Sequence, residues 1–119
     1  MNGKTLLASA LCMAACSSAV VAEDLGGTLK KIKDSGSITL GHRESSIPFS
    51  YYDDKQNVIG YSQDLMLKAV EAIRHELKVD KLTIRMLPVT SQNRISLVQN
   101  GTVDLEFGCA TKNAGRERQ

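Results

Sequence analysis

The stretch SQDLMLKAVEAIRHELK at residues 62–78 decides the fold class that the sequence predicts. Its polar residues recur at intervals of four and three, at Asp64, Lys68, Glu71, His75 and Lys78. Its apolar residues repeat this spacing on the opposite side, at Met66, Val70, Ile73 and Leu77. Such a pattern is typical of an amphipathic helix with one buried face. We predict that Ser62 caps this helix and that Asp64 stabilises its first turn.

Segments with strand character lie on both sides of this helix. Residues 37–42 alternate Ile38 and Leu40 with Thr39 and Gly41, which predicts a strand. The other predicted elements are a helix at 28–33, extended stretches at 49–52 and 58–61, a strand at 82–89, a helix from Thr90 or Ser91 to Gln99, and a strand at 103–107. The order strand, helix, strand, helix, strand indicates an α/β unit with parallel strands.

The composition favours a folded domain with an aliphatic core. Hydrophobic residues make up 42% and charged residues 24% of the 119 residues, whereas aromatic residues make up only 4%. The net charge is +2 and no dense Lys/Arg cluster is present, so the sequence does not predict nucleic-acid binding. His42 has no metal-ligand partner at a useful spacing, and no G-x-S-x-G motif occurs. An enzyme is therefore poorly supported.

The N-terminus has the pattern of a secretory signal peptide. Lys4 precedes an apolar run at residues 6–15, and small residues occupy the −3 and −1 positions before Glu23. The run is far shorter than the ~20 apolar residues of a membrane span. We therefore expect a signal peptide at 1–22, export to the periplasm, and a mature segment at 23–119.

One of the three cysteines, Cys16, suggests a second mode of processing. Cys16 follows the sequence MAA, which loosely resembles a lipoprotein box with an unusual first residue. Lipid anchoring through Cys16 is thus an alternative to simple cleavage. Cys12 also lies in the predicted signal peptide, so Cys109 has no disulfide partner within the mature segment.

Three segments are predicted to meet at one edge of the sheet. Ligands bind beyond the carboxyl ends of the strands in open parallel sheets. Arg43 follows the first strand, residues 91–94 follow the second, and residues 108–111 follow the third. We therefore predict a binding site formed by these segments.

Arg94 is the most informative residue of this predicted site. If Ser91 is the N-cap, Arg94 occupies the third helical position, where a cation opposes the helix dipole at a cost of ~0.3–1 kcal/mol. A carboxylate bound between Arg94, the Ser91 hydroxyl and the free helix N–H groups would explain this cost. A solvated surface arginine is an equally open alternative. Arg43 has its own alternative, a salt bridge to Glu44 or Asp53.

Four motifs resemble those of the periplasmic glutamate/aspartate-binding proteins. They are GHRESSIPFSYYD at 41–53, GYSQD at 60–64, TSQNR at 90–94 and QNGT at 99–102. These proteins belong to family 3 of the solute-binding proteins of ABC transporters. The resemblance implies part of the first lobe of a type II periplasmic binding protein fold, in which two lobes close on the ligand like a hinged clamp. It also implies L-glutamate or L-aspartate as ligand, a permease in the inner membrane as partner, and no cofactor.

The resemblance assigns roles to individual residues. It implies that Arg43, Ser91 and Arg94 hold the side-chain carboxylate of the ligand. The Thr111 hydroxyl and the Arg116 guanidinium would hold the α-carboxylate. A backbone carbonyl near Cys109 would contact the amino group.

This chain departs from the family pattern in sequence and in length. Cys109 stands where relatives usually have serine, Phe107 where they have cysteine, and Gly115 where they have an acidic residue. The 119 residues are also expected to be a truncated N-terminal part, without the second lobe. We therefore expect weak ligand binding by this chain alone. The alternatives are a family 3 domain of a sensor or of a cell-wall lytic transglycosylase, and a non-functional fragment.

Overall fold

A computed structural model describes residues 25–118. The predicted signal peptide lies outside these residues and stays a prediction. The helices are α1 (Gly27–Ser35), α2 (Tyr61–Glu76), α3 (Arg94–Gln99) and a short 3₁₀ helix (Arg116–Arg118). The strands are β1 (Ser37–His42), β2 (Ser45–Ser46), β3 (Ser50–Tyr52), β4 (Val58–Ile59), β5 (Thr83–Pro88) and β6 (Leu105–Glu106).

The main sheet has three parallel strands in the order β5-β1-β6. Strand β1 is central, with Leu40 opposite Met86 on β5 and opposite Leu105 on β6. Helix α2 connects β1 to β5 and α3 connects β5 to β6, as parallel pairing requires. The predicted α/β unit with parallel strands is confirmed, and β1 has the predicted bounds.

The hydrophobic core lies between β1, α1 and α2. Its buried residues are Ile32, Ile38, Leu40, Met66, Val70, Leu77 and Leu82. The core is aliphatic, as the composition predicted, and the apolar face of α2 supplies two of these side chains, with Leu77 directly after the helix. The outer strand β5 is less covered, since Ile84 is 41% exposed and Met86 is 37% exposed.

The start of α2 differs from the prediction. The helix begins at Tyr61, and Gly60 rather than Ser62 is its N-cap residue, without a side-chain capping bond. The Tyr61 and Ser62 N–H groups donate to the carbonyl oxygens of Pro48 (3.0 Å) and Phe49 (2.8 Å). Because the preceding loop satisfies these donors, the helix needs no side-chain cap. The prediction that Ser62 caps the helix was wrong.

Strand β6 is shorter than the predicted strand at 103–107 because an aspartate takes part in the ladder. The Asp104 carboxylate accepts a hydrogen bond from the Thr39 N–H at 2.8 Å, while the Asp104 N–H donates to the Thr39 carbonyl at 2.9 Å. Lys31 pairs with the same carboxylate at 2.7 Å, and the Asp104 side chain is only 2% exposed. This buried charge thus has both a partner and a structural role.

A second, antiparallel sheet in the order β2-β3-β4 is inserted between β1 and α2. Residues 53–57 form the turn that joins β3 to β4, and Asp53 organises it. The Asp53 carboxylate accepts hydrogen bonds from the Asn57 side-chain amide (3.0 Å), the Asn57 N–H (2.8 Å) and the Lys55 N–H (2.8 Å). These donors, led by the Asn57 amide, hold the pKa of Asp53 below its ordinary 3.8.

The Asp53 turn gives a testable pH dependence. Because the pKa of Asp53 is lowered in the folded state, its stabilising effect is full above pH 3.8 and is lost as the pH falls through the folded-state pKa. Replacing Asn57 with alanine should raise the pKa of Asp53, although not fully to 3.8, since two backbone donors remain. An NMR titration of the carboxyl group measures this, with Gln56→Ala as control. An unchanged pKa in Asn57→Ala would contradict the assignment.

Candidate functional site

The three predicted segments meet at the carboxyl edge of the main sheet. Parallel strands β1, β5 and β6 end at His42, Pro88 and Glu106. Arg43 therefore lies beside the segment 90–94 and the segment 108–111. The topology thus brings the candidate residues to one edge, as the strand-end argument predicted.

Arg43 and Ser91 are in direct contact. The Arg43 Nη1 donates a hydrogen bond to the Ser91 Oγ at 2.7 Å. The backbone of Arg43 is fixed by Ser50, whose Oγ accepts from the Arg43 N–H at 3.1 Å and donates to the Arg43 carbonyl at 2.8 Å. The Arg43 guanidinium has five N–H donors, and the bond to Ser91 uses one of them. Its other donors can still bind a ligand or solvent.

Ser50 is a positioning residue that the sequence reasoning missed. It is 1% exposed, and both of its hydrogen bonds go to the backbone of Arg43. A serine in a short extended stretch carries no sequence signal for this role. The role depends on a tertiary contact, in which β3 lies against the end of β1.

The turn that precedes α3 differs from the predicted one. The helix begins at Arg94 with Asn93 as N-cap residue, so Arg94 is at the first and not the third helical position. Thr90 and Asn93 bond reciprocally: the Thr90 N–H donates to the Asn93 Oδ1 (2.8 Å) and the Asn93 N–H to the Thr90 Oγ1 (3.2 Å). Ser91 is therefore not the cap, and its hydroxyl is bound by Arg43 instead. The prediction that Thr90 or Ser91 caps the helix was wrong, and Thr90 instead bonds to Asn93 within the turn that precedes it.

Arg94 is buried rather than solvated. The residue is 6% exposed, which rules out the surface-arginine alternative. Its Nη2 donates to the carbonyl oxygen of Cys109 at 3.0 Å, and its Nη1 lies 3.7 Å from the Glu106 Oε1. Among the described residues, the buried Nε of Arg94 and the Oε1 of Glu106 have no hydrogen-bond partner. The carbonyl assigned to a ligand amino group is thus bound to Arg94 in this structure.

Arg116 and Thr111 are also in contact with each other, which the resemblance did not imply. The Arg116 Nη1 donates to the Thr111 carbonyl oxygen at 2.8 Å, and not to its hydroxyl. Both residues are exposed. This contact leaves the Thr111 hydroxyl and the remaining Arg116 donors available to a carboxylate.

Some of the candidate residues line an open cleft of about 670 Å³. Arg94, Thr111 and Arg116 line it, together with the apolar residues Ile95, Val98, Leu105 and Ala110 and with other polar residues. Arg43, Ser91 and Cys109 do not line it. The structure therefore forms two adjoining groups, Arg43 with Ser91, and Arg94 with the C-terminal segment.

The described residues offer no arrangement for a metal. Within residues 25–118, no group of three or more His, Cys, Asp or Glu side chains could hold a metal ion. Cys109 is exposed and is not in a disulfide. In the same part of the chain, none of the helices has the length and apolar character needed to cross a membrane.

Close relatives are named as binding proteins for acidic amino acids. The L-glutamate/L-aspartate-binding protein of Pseudomonas aeruginosa is 55% identical over 116 residues, which are 97% of this chain and 38% of the relative. The glutamate/aspartate import solute-binding protein of Escherichia coli is 53% identical over 94 residues, 79% of this chain and 31% of the relative. The chain thus spans about a third of the length of these curated relatives.

The fold is shared with more distant solute-binding proteins. The crystal structure of the cysteine-binding protein from Campylobacter jejuni matches with a TM-score of 0.67 at 24% identity, over 79% of this chain and 36% of that one. The predicted part of a type II periplasmic binding protein fold is confirmed. The family model described as bacterial extracellular solute-binding proteins, family 3, matches residues 38–119. The motifs at 41–53, 60–64 and 90–94 lie within this match, and the chain therefore belongs to that family.

Proposed function

We propose that this chain contributes carboxylate-binding residues of the first lobe to a periplasmic binding protein for glutamate and aspartate. The observation that carries the proposal is the pairing of Arg43 with Ser91 at 2.7 Å, at the same carboxyl edge of the sheet as a buried Arg94. The names of the relatives at 53–55% identity support the same ligand class.

The charges of the site suit a ligand with two carboxylates. Arg43 with the Ser91 hydroxyl forms one cationic end, and Arg116 beside Thr111 forms the other. A neutral amino acid would leave the Arg43 end without an anionic partner. Such unpaired polar groups are how a site rejects a ligand that lacks the matching group. Binding rather than catalysis is the role that these residues support.

The proposed location and partners follow from the same assignment. The predicted signal peptide at 1–22 would direct the protein to the periplasm, and cleavage before Glu23 would release it. An import system needs a membrane permease, so we propose an ABC permease in the inner membrane as partner. The name of the Escherichia coli relative as an import protein supports this.

We expect the segment 23–119 alone to bind glutamate at millimolar or weaker affinity. Each charge-assisted hydrogen bond contributes about 1.5–3 kcal/mol, whereas association costs an estimated 4–15 kcal/mol. Two or three exposed contacts barely offset this cost. Isothermal calorimetry of the purified segment measures the affinity, and micromolar binding would overturn the expectation.

A fusion tests the proposed function itself. The chain is joined in frame to the remaining length of the Pseudomonas aeruginosa relative, so that the contacts of that part of the relative are available to the ligand. We expect the fusion to bind glutamate and aspartate at least tenfold more tightly than the isolated segment, and glutamine no better. A folded fusion that binds no acidic amino acid would contradict the proposal.

A further inference from the structure

Glu106 is a buried acid that the resemblance assigns to no role. It is the last residue of β6, and strand alternation places its side chain opposite Leu105, which packs against the core. The side chain is 9% exposed and that of Arg94 is 7% exposed. Their nearest charged atoms, Glu106 Oε1 and Arg94 Nη1, are 3.7 Å apart. The two side chains therefore form a buried ion pair inside the candidate site.

Two glycines make room for this pair. A Cβ at Gly41 would lie 3.1 Å from the Glu106 Cγ, in the middle of the acid's side chain. A Cβ at Gly108 would overlap the Glu106 Oε1 and lie 2.6 Å from the Arg94 Nη1. The backbone of β1 thus lies close to the aliphatic part of the Glu106 side chain, and the backbone at Gly108 approaches the carboxylate more closely than a side chain would permit. Both segments therefore hold the Glu106 side chain in place.

The pair is matched in charge but incompletely hydrogen-bonded. At 3.7 Å the contact is an ion pair rather than a hydrogen bond. Within the described residues, Arg94 Nε and Glu106 Oε1 have no hydrogen-bond partner. Arg94 therefore keeps N–H donors for another acceptor, although its positive charge is already balanced by the protein.

We propose that Glu106 sets the charge of the ligand site. Its carboxylate balances the charge of Arg94, so that Arg43 is the one of these two arginines whose charge remains for a ligand carboxylate. Without Glu106 both arginines would carry an unbalanced positive charge, and that of Arg94 would be buried without a counter-charge. This inference rests on the proposed function for the identity of the ligand, but the neutralisation itself is testable without any amino acid.

The test replaces Glu106 with glutamine in the full chain and uses sodium sulfate as the probe. Glutamine keeps the shape of the side chain but leaves the Arg94 guanidinium unbalanced, which is strongly destabilising for a buried charge. We expect Tm to fall by roughly 10 °C or more at low sulfate. Tm should then rise with sulfate along a saturable curve at constant ionic strength, because a bound anion supplies the lost negative charge.

Glu71→Gln is the matched control. Glu71 also pairs with an arginine, Arg74, at 3.0 Å, but its side chain is 66% exposed. This control and the unchanged chain should show only the shallow, non-saturating rise that sulfate gives to any protein. A folded Glu106→Gln variant with that same shallow response would overturn the proposal.

A second variant covers the case in which Glu106→Gln does not fold even in sulfate. The double variant Arg94→Gln/Glu106→Gln removes both charges and should fold, with no saturable response to sulfate. A double variant that also fails to fold would show that Glu106 is needed for packing and would overturn the proposal. If the fusion did not bind glutamate, the proposed function would be contradicted, but the sulfate result would still stand.

Discussion

Replacing Gly60 with alanine is expected to destabilise the chain by about 3–5 kcal/mol, enough to unfold a marginal domain. Gly60 has φ +126°, a backbone conformation that L-residues rarely adopt. A Cβ there would overlap the Phe49 carbonyl oxygen and lie 2.9 Å from the Pro48 carbonyl oxygen. These two oxygens accept the first N–H groups of α2, so relief of the overlap would break the contacts that begin the helix. Urea denaturation followed by circular dichroism measures the loss.

Gly101→Ala is the control for this substitution. Gly101 also has a positive φ, +75°, but a Cβ there would meet no atom within 4 Å. It should cost only about 1 kcal/mol, from the backbone conformation alone. Equal losses of stability in the two variants would show that contact with the 48–49 loop is not what requires glycine at position 60.

Replacing Arg43 with glutamine is expected to abolish the preference for acidic ligands. In the fusion with the Pseudomonas aeruginosa relative, glutamate affinity should fall by about 10- to 100-fold, since a charge-assisted hydrogen bond contributes about 1.5–3 kcal/mol. Glutamine affinity should change little, because a neutral amide does not require the cation. Isothermal calorimetry with both ligands measures the ratio directly.

Arg85→Gln is the matched control for Arg43. Arg85 lies on β5 opposite Thr39, in the middle of the strand and away from the carboxyl edge, and it is exposed. It should leave both affinities unchanged. If Arg43→Gln lowers glutamate and glutamine binding equally, Arg43 contributes to general binding and not to the choice of an acidic side chain.

The sequence correctly predicted helices and strands wherever a periodic pattern of apolar residues was long enough. The 17-residue pattern at 62–78 correctly predicted α2 and its buried face, and the alternation at 37–42 predicted β1 with its exact bounds. The ends of elements were harder to predict, because distant backbone decided them. The 48–49 loop begins α2 in place of Ser62, and Asp104 shortens β6 through its bond to Thr39.

The candidate site was predicted in location but not in its internal contacts. The strand-end argument placed Arg43, Ser91 and Arg94 at one edge of the sheet, where the structure has them. It could not predict that Arg94 is buried against Glu106, because that contact depends on the close approach that Gly108 permits. The sequence did contain one signal for this contact, which is that Glu106 lies inside the predicted strand at 103–107. A buried acid requires a cation nearby.

The outer strand β5 has a consequence for how the chain behaves in concentrated solution. Within residues 25–118, no strand pairs with its free side, and Ile84 and Met86 remain exposed along it. A free strand edge of this kind is a template onto which another chain can add, and self-association follows. The charged side chains of Lys81 and Arg85, before and within β5, oppose such stacking by repulsion between like charges. We therefore expect any self-association through this edge to increase with protein concentration and with salt that screens those two charges.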